Sequence, residues 1–134
     1  MITRFELFVL VLMAAVMPGC GSQAVTGGTK GVIHAGSALM GEFQVTVHQV
    51  EGSTTKPIGF GVTGSNGEFE LVTNGAKGPL RLSPGEYRCT LESIGAPVVV
   101  PLEFTKADTT PLKVSWAASD KKLDLEIPTP QLRR

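Results

Sequence analysis

Between Pro84 and Glu92 the chain alternates without a break: Tyr87, Cys89 and Leu91 are apolar or weakly polar, while Glu86, Arg88, Thr90 and Glu92 are polar. Successive side chains of a strand point to opposite faces, so this pattern predicts a strand with one buried and one wet face. The Pro84-Gly85 pair opens it with a turn. The pattern recurs. Phe43, Val45 and Val47 alternate with Gln44, Thr46 and His48. Leu112, Val114 and Trp116 alternate with Lys113 and Ser115, and Leu123, Leu125 and Ile127 with Lys122, Asp124 and Glu126. No helical stripe of useful length follows the first 20 residues. A chain patterned this way has to fold as β-sheet, and one wet-faced sheet cannot bury its own apolar side.

The remaining strands are read from their punctuation. Gly31 to His34 predicts a short first strand, turned by Ala35-Gly36-Ser37, and Glu42 to Val50 a second. Gly52 to Pro57 reads as a polar loop. Ile58 to Thr63 predicts a third strand, with Ile58, Phe60 and Val62 on one face and two glycines on the other. Glycines weaken a strand unless something covers them closely. Ser65-Asn66-Gly67 predicts a hairpin turn, with Glu68 to Thr73 returning antiparallel. Val98-Val99-Val100, between Pro97 and Pro101, predicts an edge segment or covering loop, because proline cannot donate to a ladder. The expectation is a seven-stranded antiparallel β-sandwich over residues 30–128, with 129–134 as a tail.

The first 20 residues follow different rules. Arg4 supplies a weak positive start, and an apolar run from Leu7 to Met17 follows. It is shorter than the ~20 apolar residues a membrane-spanning helix needs. The run ends Val16-Met17-Pro18-Gly19-Cys20. A small residue directly before a cysteine, after an apolar core, resembles the lipobox of bacterial lipoproteins. Met17 and Pro18 stand where that family prefers Leu and then Ala or Ser. The resemblance implies a signal peptide over 1–19, cleavage before Cys20, and acylation of Cys20. The protein would then be lipid-anchored in a bacterial cell envelope. An ordinary secretory signal, or an uncleaved anchor with Cys20 incidental, is the alternative reading. Residues 21–29 are polar and glycine-rich, and with Cys20 they are read as a lipidated, flexible tether over 20–29.

Several function classes are excluded or left without support. Lys plus Arg equals Asp plus Glu at 12 each, so the electrostatic footprint of a nucleic-acid binder is missing. His34, His48 and Cys89 show none of the spacings that hold zinc. Cys89 lies in phase with Tyr87 and Leu91, which predicts a buried, inert thiol. Were Cys20 not lipidated, a Cys20–Cys89 disulfide would be the competing use, and burial of Cys89 argues against it. Gly64-Ser65-Asn66-Gly67 is a turn and not a nucleophile elbow. Glu68 and Glu70 share a wet face, as a charged sheet edge does. The reading is therefore no enzyme, no cofactor and no catalytic or metal residue, with Cys20 as the modified position and the ligand-binding residues unknown.

The ordered motifs also resemble a family. Gly31-Val32-Ile33 with Gly36 and Leu39 look like its opening. Thr63-Gly64-Ser65-Asn66-Gly67-Glu68-Phe69-Glu70-Leu71 looks like its Thr-Asp-x-x-Gly-x-Phe-x-Leu. Pro84-Gly85-Glu86-Tyr87 looks like its Pro-Gly-x-Tyr strand, and Val100-Pro101 to Phe104, Thr110-Pro111-Leu112-Lys113-Val114 and Leu123-Asp124-Leu125 look like its C-terminal part. This is the carboxypeptidase regulatory-like group. The resemblance implies a transthyretin-like (prealbumin-like), Greek-key sandwich and a non-catalytic module. Such a module contacts an envelope protein or a glycan. A carrier of a small apolar ligand between the sheets is the alternative, and a hydrolase a more distant one. The pair Glu42-Phe43 adds a residue before the second strand, which a β-bulge would absorb.

Overall fold

In the computed structural model, residues 25–129, 131 and 132 are described. Cys20 and the segment read as a signal peptide lie outside them. The fold is all-β: a four-stranded sheet, a five-stranded sheet and a two-stranded ladder around one hydrophobic core. The strand segments are β1 (Lys30–Ala35), β2 (Ala38–Leu39), β3 (Phe43–Glu51), β4 (Thr54–Val62), β5 (Glu68–Glu70), β6 (Val72–Thr73), β7 (Gly85–Ser93), β8 (Val98–Val99), β9 (Lys113–Trp116), β10 (Lys122–Glu126) and β11 (Gln131–Leu132). The first sheet places β1 between β10 on one side and β2 and β5 on the other. The second runs β6-β4-β3-β7-β9.

The alternation translates directly into burial. Phe43, Val45 and Val47 of β3 oppose Ser93, Leu91 and Cys89 of β7, and these apolar side chains are buried. Leu123, Leu125 and Ile127 are buried beneath β1, and Trp116 and Leu112 close the other flank. Tyr87 is buried, and its hydroxyl donates to the Ser83 carbonyl four residues upstream at 2.6 Å, which fastens the turn that opens β7. Thr110 is buried too. Its hydroxyl donates to the Cys89 carbonyl at 2.7 Å and accepts from the Leu112 N–H at 3.2 Å. A buried hydroxyl left without partners would be costly, so this one is held from both sides.

Six expectations change. First, β1 and β10 pair in parallel, so the sandwich is not antiparallel throughout. Two strands far apart in sequence can pair this way because the whole intervening domain serves as the crossover. Second, residues 68–73 do not return as one hairpin strand. Glu68–Glu70 pairs with β1, whereas Val72–Thr73 pairs with β4, so the chain changes sheets at Leu71. Leu71 is fully buried at that step, its N–H donating to the Thr29 carbonyl at 2.9 Å. Third, the described residues carry eleven strand segments where seven strands are expected, partly because this switch and the short terminal pairings divide the ladders into shorter pieces.

Fourth, the loop at 52–57 shrinks to Gly52-Ser53. Gly52 has φ +62°, as the first position of a tight hairpin requires, and β4 begins at Thr54. Pro57 lies next to a bulge in β4, where Ile58 is the extra residue between the Val47–Gly59 and His48–Pro57 pairs, and its missing N–H is tolerated there. Fifth, the expected tether is docked at its end. The Gly27 N–H donates to Glu70 at 2.7 Å, the Arg81 Nε donates to the Gly27 carbonyl at 2.8 Å, and Thr29 exchanges backbone bonds with Leu80 and Leu71. Sixth, the tail does not end the sheet at Pro128, because Gln131–Leu132 pairs with Val99 and Val98. The same pairing makes 98–99 a strand with Val98 buried and Val99 exposed.

The two glycines of β4 face inward. Gly59 and Gly61 are buried, whereas Ile58 and Phe60 are half-buried and Val62 is exposed. A Cβ on Gly61 would stand 2.8 Å from Cδ2 of Phe69, and one on Gly31 would stand 2.2 Å from its Cζ. Phe69 therefore occupies space that two absent side chains leave, one from each sheet. The extra residue before β3 is also accounted for. Glu42 adopts φ +64°, donates its N–H to the Thr63 carbonyl at 3.2 Å and accepts from the Ile94 N–H at 3.0 Å.

Candidate functional site

The register gives the sandwich two distinguishable ends. At one, the chain enters at Gly27 and Lys30 sits opposite Lys122, while Gly85 pairs with Trp116 and the Glu51–Thr54 hairpin turns. At the other lie Ala35, Phe43, Thr63, Ser93 and Ile127, with the 94–104 segment folded across. An open basin of about 570 Å³, lined by Gly27, Lys30, Arg81, Trp116 and Lys121 among others, marks the entry end. A cleft of about 500 Å³ beside it, between Lys30, Lys122, Asn66, Glu68 and Glu70, shares Lys30 and Glu70 with that basin.

Charge and apolar exposure divide between these ends. Among the described residues, the strand cations are Lys30, Lys56, Arg88, Lys113 and Lys122, and all lie in the half nearer the entry end. The large apolar side chains that remain exposed are Leu39, Val62, Ile94, Val99 and Leu102, from 46% for Val62 to 70% for Leu102. Four of them lie at the far end, whereas Val62 lines the cleft that holds Lys30 and Lys122. Leu39 pairs with His34, Val62 with Gln44, and Ile94 follows the Phe43–Ser93 pair. Val99 and Leu102 flank Val100 and Pro101, which sit over Phe43, Leu91 and Ile127. Carboxylates stand around them: Glu92 beside Ile94, Glu103 beside Leu102, Glu126 before Ile127, and Glu42, whose backbone carbonyl holds the Ile94 N–H.

The side chains that chemistry would use are dispersed. Among the described residues no group of three or more His, Cys, Asp and Glu is arranged to hold a metal ion. His34 donates from both ring nitrogens, Nδ1 to the Gly36 carbonyl at 3.0 Å and Nε2 to the Asp124 carboxylate at 2.5 Å. The Asp124 carboxylate, then the Gly36 carbonyl, hold its pKa above the ordinary histidine value. This pair straps β1 to β10 across the parallel seam. His48 lies at the outer face, 3.0 Å from the Thr90 hydroxyl, and partial burial lowers its pKa. Cys89 is a fully buried free thiol, and burial pushes its pKa up to about 12. Glu68 accepts from Asn66 and Glu70 from Gly27, so neither is poised against the other.

The gap beneath the far end bears on ligand carriage. Phe43, Leu91, Val100, Pro101, Phe104, Ile127 and Pro128 enclose about 10 Å³. That is room for about one water and not for an apolar ligand. The far-end cluster is the feature that sequence reasoning missed. Its members, Leu39, Ile94, Val99 and Leu102, come from β2 and the 94–102 segment, and only the fold brings them to one end. Position 20, read as the lipidated cysteine, lies outside the described residues. No family model, no curated protein and no solved structure matches the chain.

Proposed function

We propose that this chain is a lipid-anchored module of the bacterial cell envelope that presents its far end to a protein partner, with no catalytic role. The observation that carries the reading is the exposure of Leu39, Ile94, Val99 and Leu102 at the end opposite the point where the chain enters. Apolar surface gathered at one place, with a polar rim, is the common form of a protein contact. The carboxylates of Glu42, Glu92, Glu103 and Glu126 suit a partner with apolar centre and basic rim. Attachment through acyl chains on Cys20 would hold the entry end toward the bilayer and leave this surface free. The transthyretin-like, Greek-key assignment belongs to the same proposal and is supported by the two-sheet core. The carrier alternative is disfavoured by the 10 Å³ gap between the sheets.

The test uses the full chain in a bacterial host. A photo-crosslinking amino acid at position 99 or 102 should capture one discrete envelope protein, and the same group at Lys113 should not. Cys20→Ser should release the domain in soluble form or leave uncleaved precursor. Equal crosslinking from both positions would end the partner reading. Membrane retention of a processed Cys20→Ser protein would end the anchor reading.

A further inference from the structure

We infer that the entry end of the sandwich, through Lys30, Lys121 and Lys122, lies directly against an anionic lipid surface and so fixes the domain's orientation on the membrane. The inference rests on the lipid-anchor reading and goes beyond it, because an anchor alone would leave the domain free to tumble.

Three observations carry it. The first is the docking of Gly27. With its N–H on Glu70 and its carbonyl on Arg81, the chain leaves the domain at a defined point on this end. Gly27 follows Cys20 by seven steps of chain, and such a length reaches at most about 25 Å when fully extended. As a flexible glycine-rich chain it would average about 15 Å. The domain cannot turn its far end to the bilayer on so short a lead without moving across it.

The second observation is the charge pattern. Lys30 stands between Lys122 on one neighbouring strand and Glu70 on the other, so Lys122 adds a second cation where Glu70 offsets one. Lys121 precedes Lys122, and all three are exposed. None has a carboxylate within ion-pair distance among the described residues, where the ion pair is His34 with Asp124. An external anionic surface would supply the counter-charge that Lys121 and Lys122 lack among the described residues. The third is what the nearby carboxylates do. Glu70 accepts from the Gly27 N–H and Asp120 from the Ala117 N–H, both at 2.7 Å, so each already serves a backbone donor. A lipid headgroup phosphate is the anion a bilayer offers, and the attraction falls off within about 8 Å at physiological salt.

The experiment reconstitutes the full-length, processed protein in vesicles of phosphatidylcholine alone or with phosphatidylglycerol. Each lysine is then scored by acetylation and mass spectrometry. With phosphatidylglycerol, Lys30, Lys121 and Lys122 should react at least about five-fold more slowly, the occupancy one lysine's attraction to such a surface implies. Lys106 and Lys113 should be unchanged, and high salt should erase the difference. Lys121→Glu with Lys122→Glu should remove the protection of Lys30. Uniform reactivity in an acylated protein that floats with the vesicles overturns the orientation and leaves the anchor intact. An unacylated Cys20 overturns the anchor and the orientation with it.

Discussion

Replacing Gly31 by alanine tests the packing that joins the two sheets. The perturbation is one methyl group. Built on Gly31, its carbon would lie 2.2, 2.7 and 2.8 Å from three atoms of the Phe69 ring. The ring cannot retreat, because a Cβ on the opposite side at Gly61 would already be 2.8 Å from Cδ2, so the Gly61 backbone walls it in. Phe69 itself is 4% exposed. Two terms compete. Gly→Ala favours folding by about 0.4–1 kcal/mol through the unfolded chain where the site has room. Overpacking a filled core costs about 1–3 kcal/mol. With three contacts far inside van der Waals distance the collision should dominate, for a net loss of about 2 kcal/mol. Urea denaturation followed by Trp116 fluorescence reads this as a midpoint lower by about 1 M, at a slope near 2 kcal/mol/M. Phe69→Leu alone should also destabilise, but in the Gly31→Ala background it should cost less, with a coupling of about 1 kcal/mol or more. A midpoint for Gly31→Ala equal to the parent's, or strict additivity in the double variant, would refute the reasoning.

Three further outcomes follow from the same packing. Cys89, fully buried and with its pKa pushed up to about 12, should resist a maleimide at pH 8 in the folded protein and react after unfolding; rapid labelling of native protein would contradict it. Trp116→Ala should cost about 3–5 kcal/mol, because the indole is 8% exposed and closes the flank beside Leu112; calorimetry showing an unchanged transition would count against this. His34 and His48 should impose opposite pH slopes. The raised pKa of His34 contributes stability that is present below about pH 6.5 and lost as pH rises through its folded value, while the lowered pKa of His48 contributes above that range and is lost as pH falls through its own. His34→Gln should therefore flatten the alkaline limb of a melting-temperature profile from pH 5 to 9 and leave the acid limb. An unaltered alkaline limb would remove the strap from the argument.

The strands most legible in the sequence are those with one wet face. β3 and β10 alternate cleanly because solvent lies on one side and core on the other, and Trp116 and Cys89 occupy the faces their phase predicts. β7 departs at Thr90, expected on the wet face but buried at 8% exposure, with its hydroxyl against His48. Legibility fails where a segment serves two partners. Phe69 and Leu71 alternate as one strand, yet β5 belongs to the first sheet and β6 to the second, and nothing in a period of two records which neighbour accepts the backbone bonds. In β4 the pattern misleads by size. Phe60 and Val62 are the apolar residues, but the inward positions are the glycines, because Phe69 and the Val72 carbonyl need the room. The parallel β1–β10 pair escapes for another reason, since pairing partners 92 residues apart leave no local turn signal.

The same logic explains why the candidate surface was not readable from motifs. Leu39 looks like a strand residue and Leu102 like part of an apolar loop; each is unremarkable alone, since scattered exposed apolar residues are normal. What distinguishes them is a shared level along the strands, and level is set by register. β3 fixes it: Phe43 pairs with Ser93 and Gln44 with Glu92, so Ile94 must fall at the Phe43 end of β3. Within the other sheet, the register brings His34 level with Glu126 and Leu39. Lys30 and Lys122 are fixed at the opposite level by the parallel seam, and the docked Gly27 joins them there. A one-residue slip of β10 against β1 would bury Lys122 and Asp124 in place of Leu123 and Leu125. The core that specifies the fold therefore also enforces the separation of cationic and apolar ends on which the proposed orientation depends.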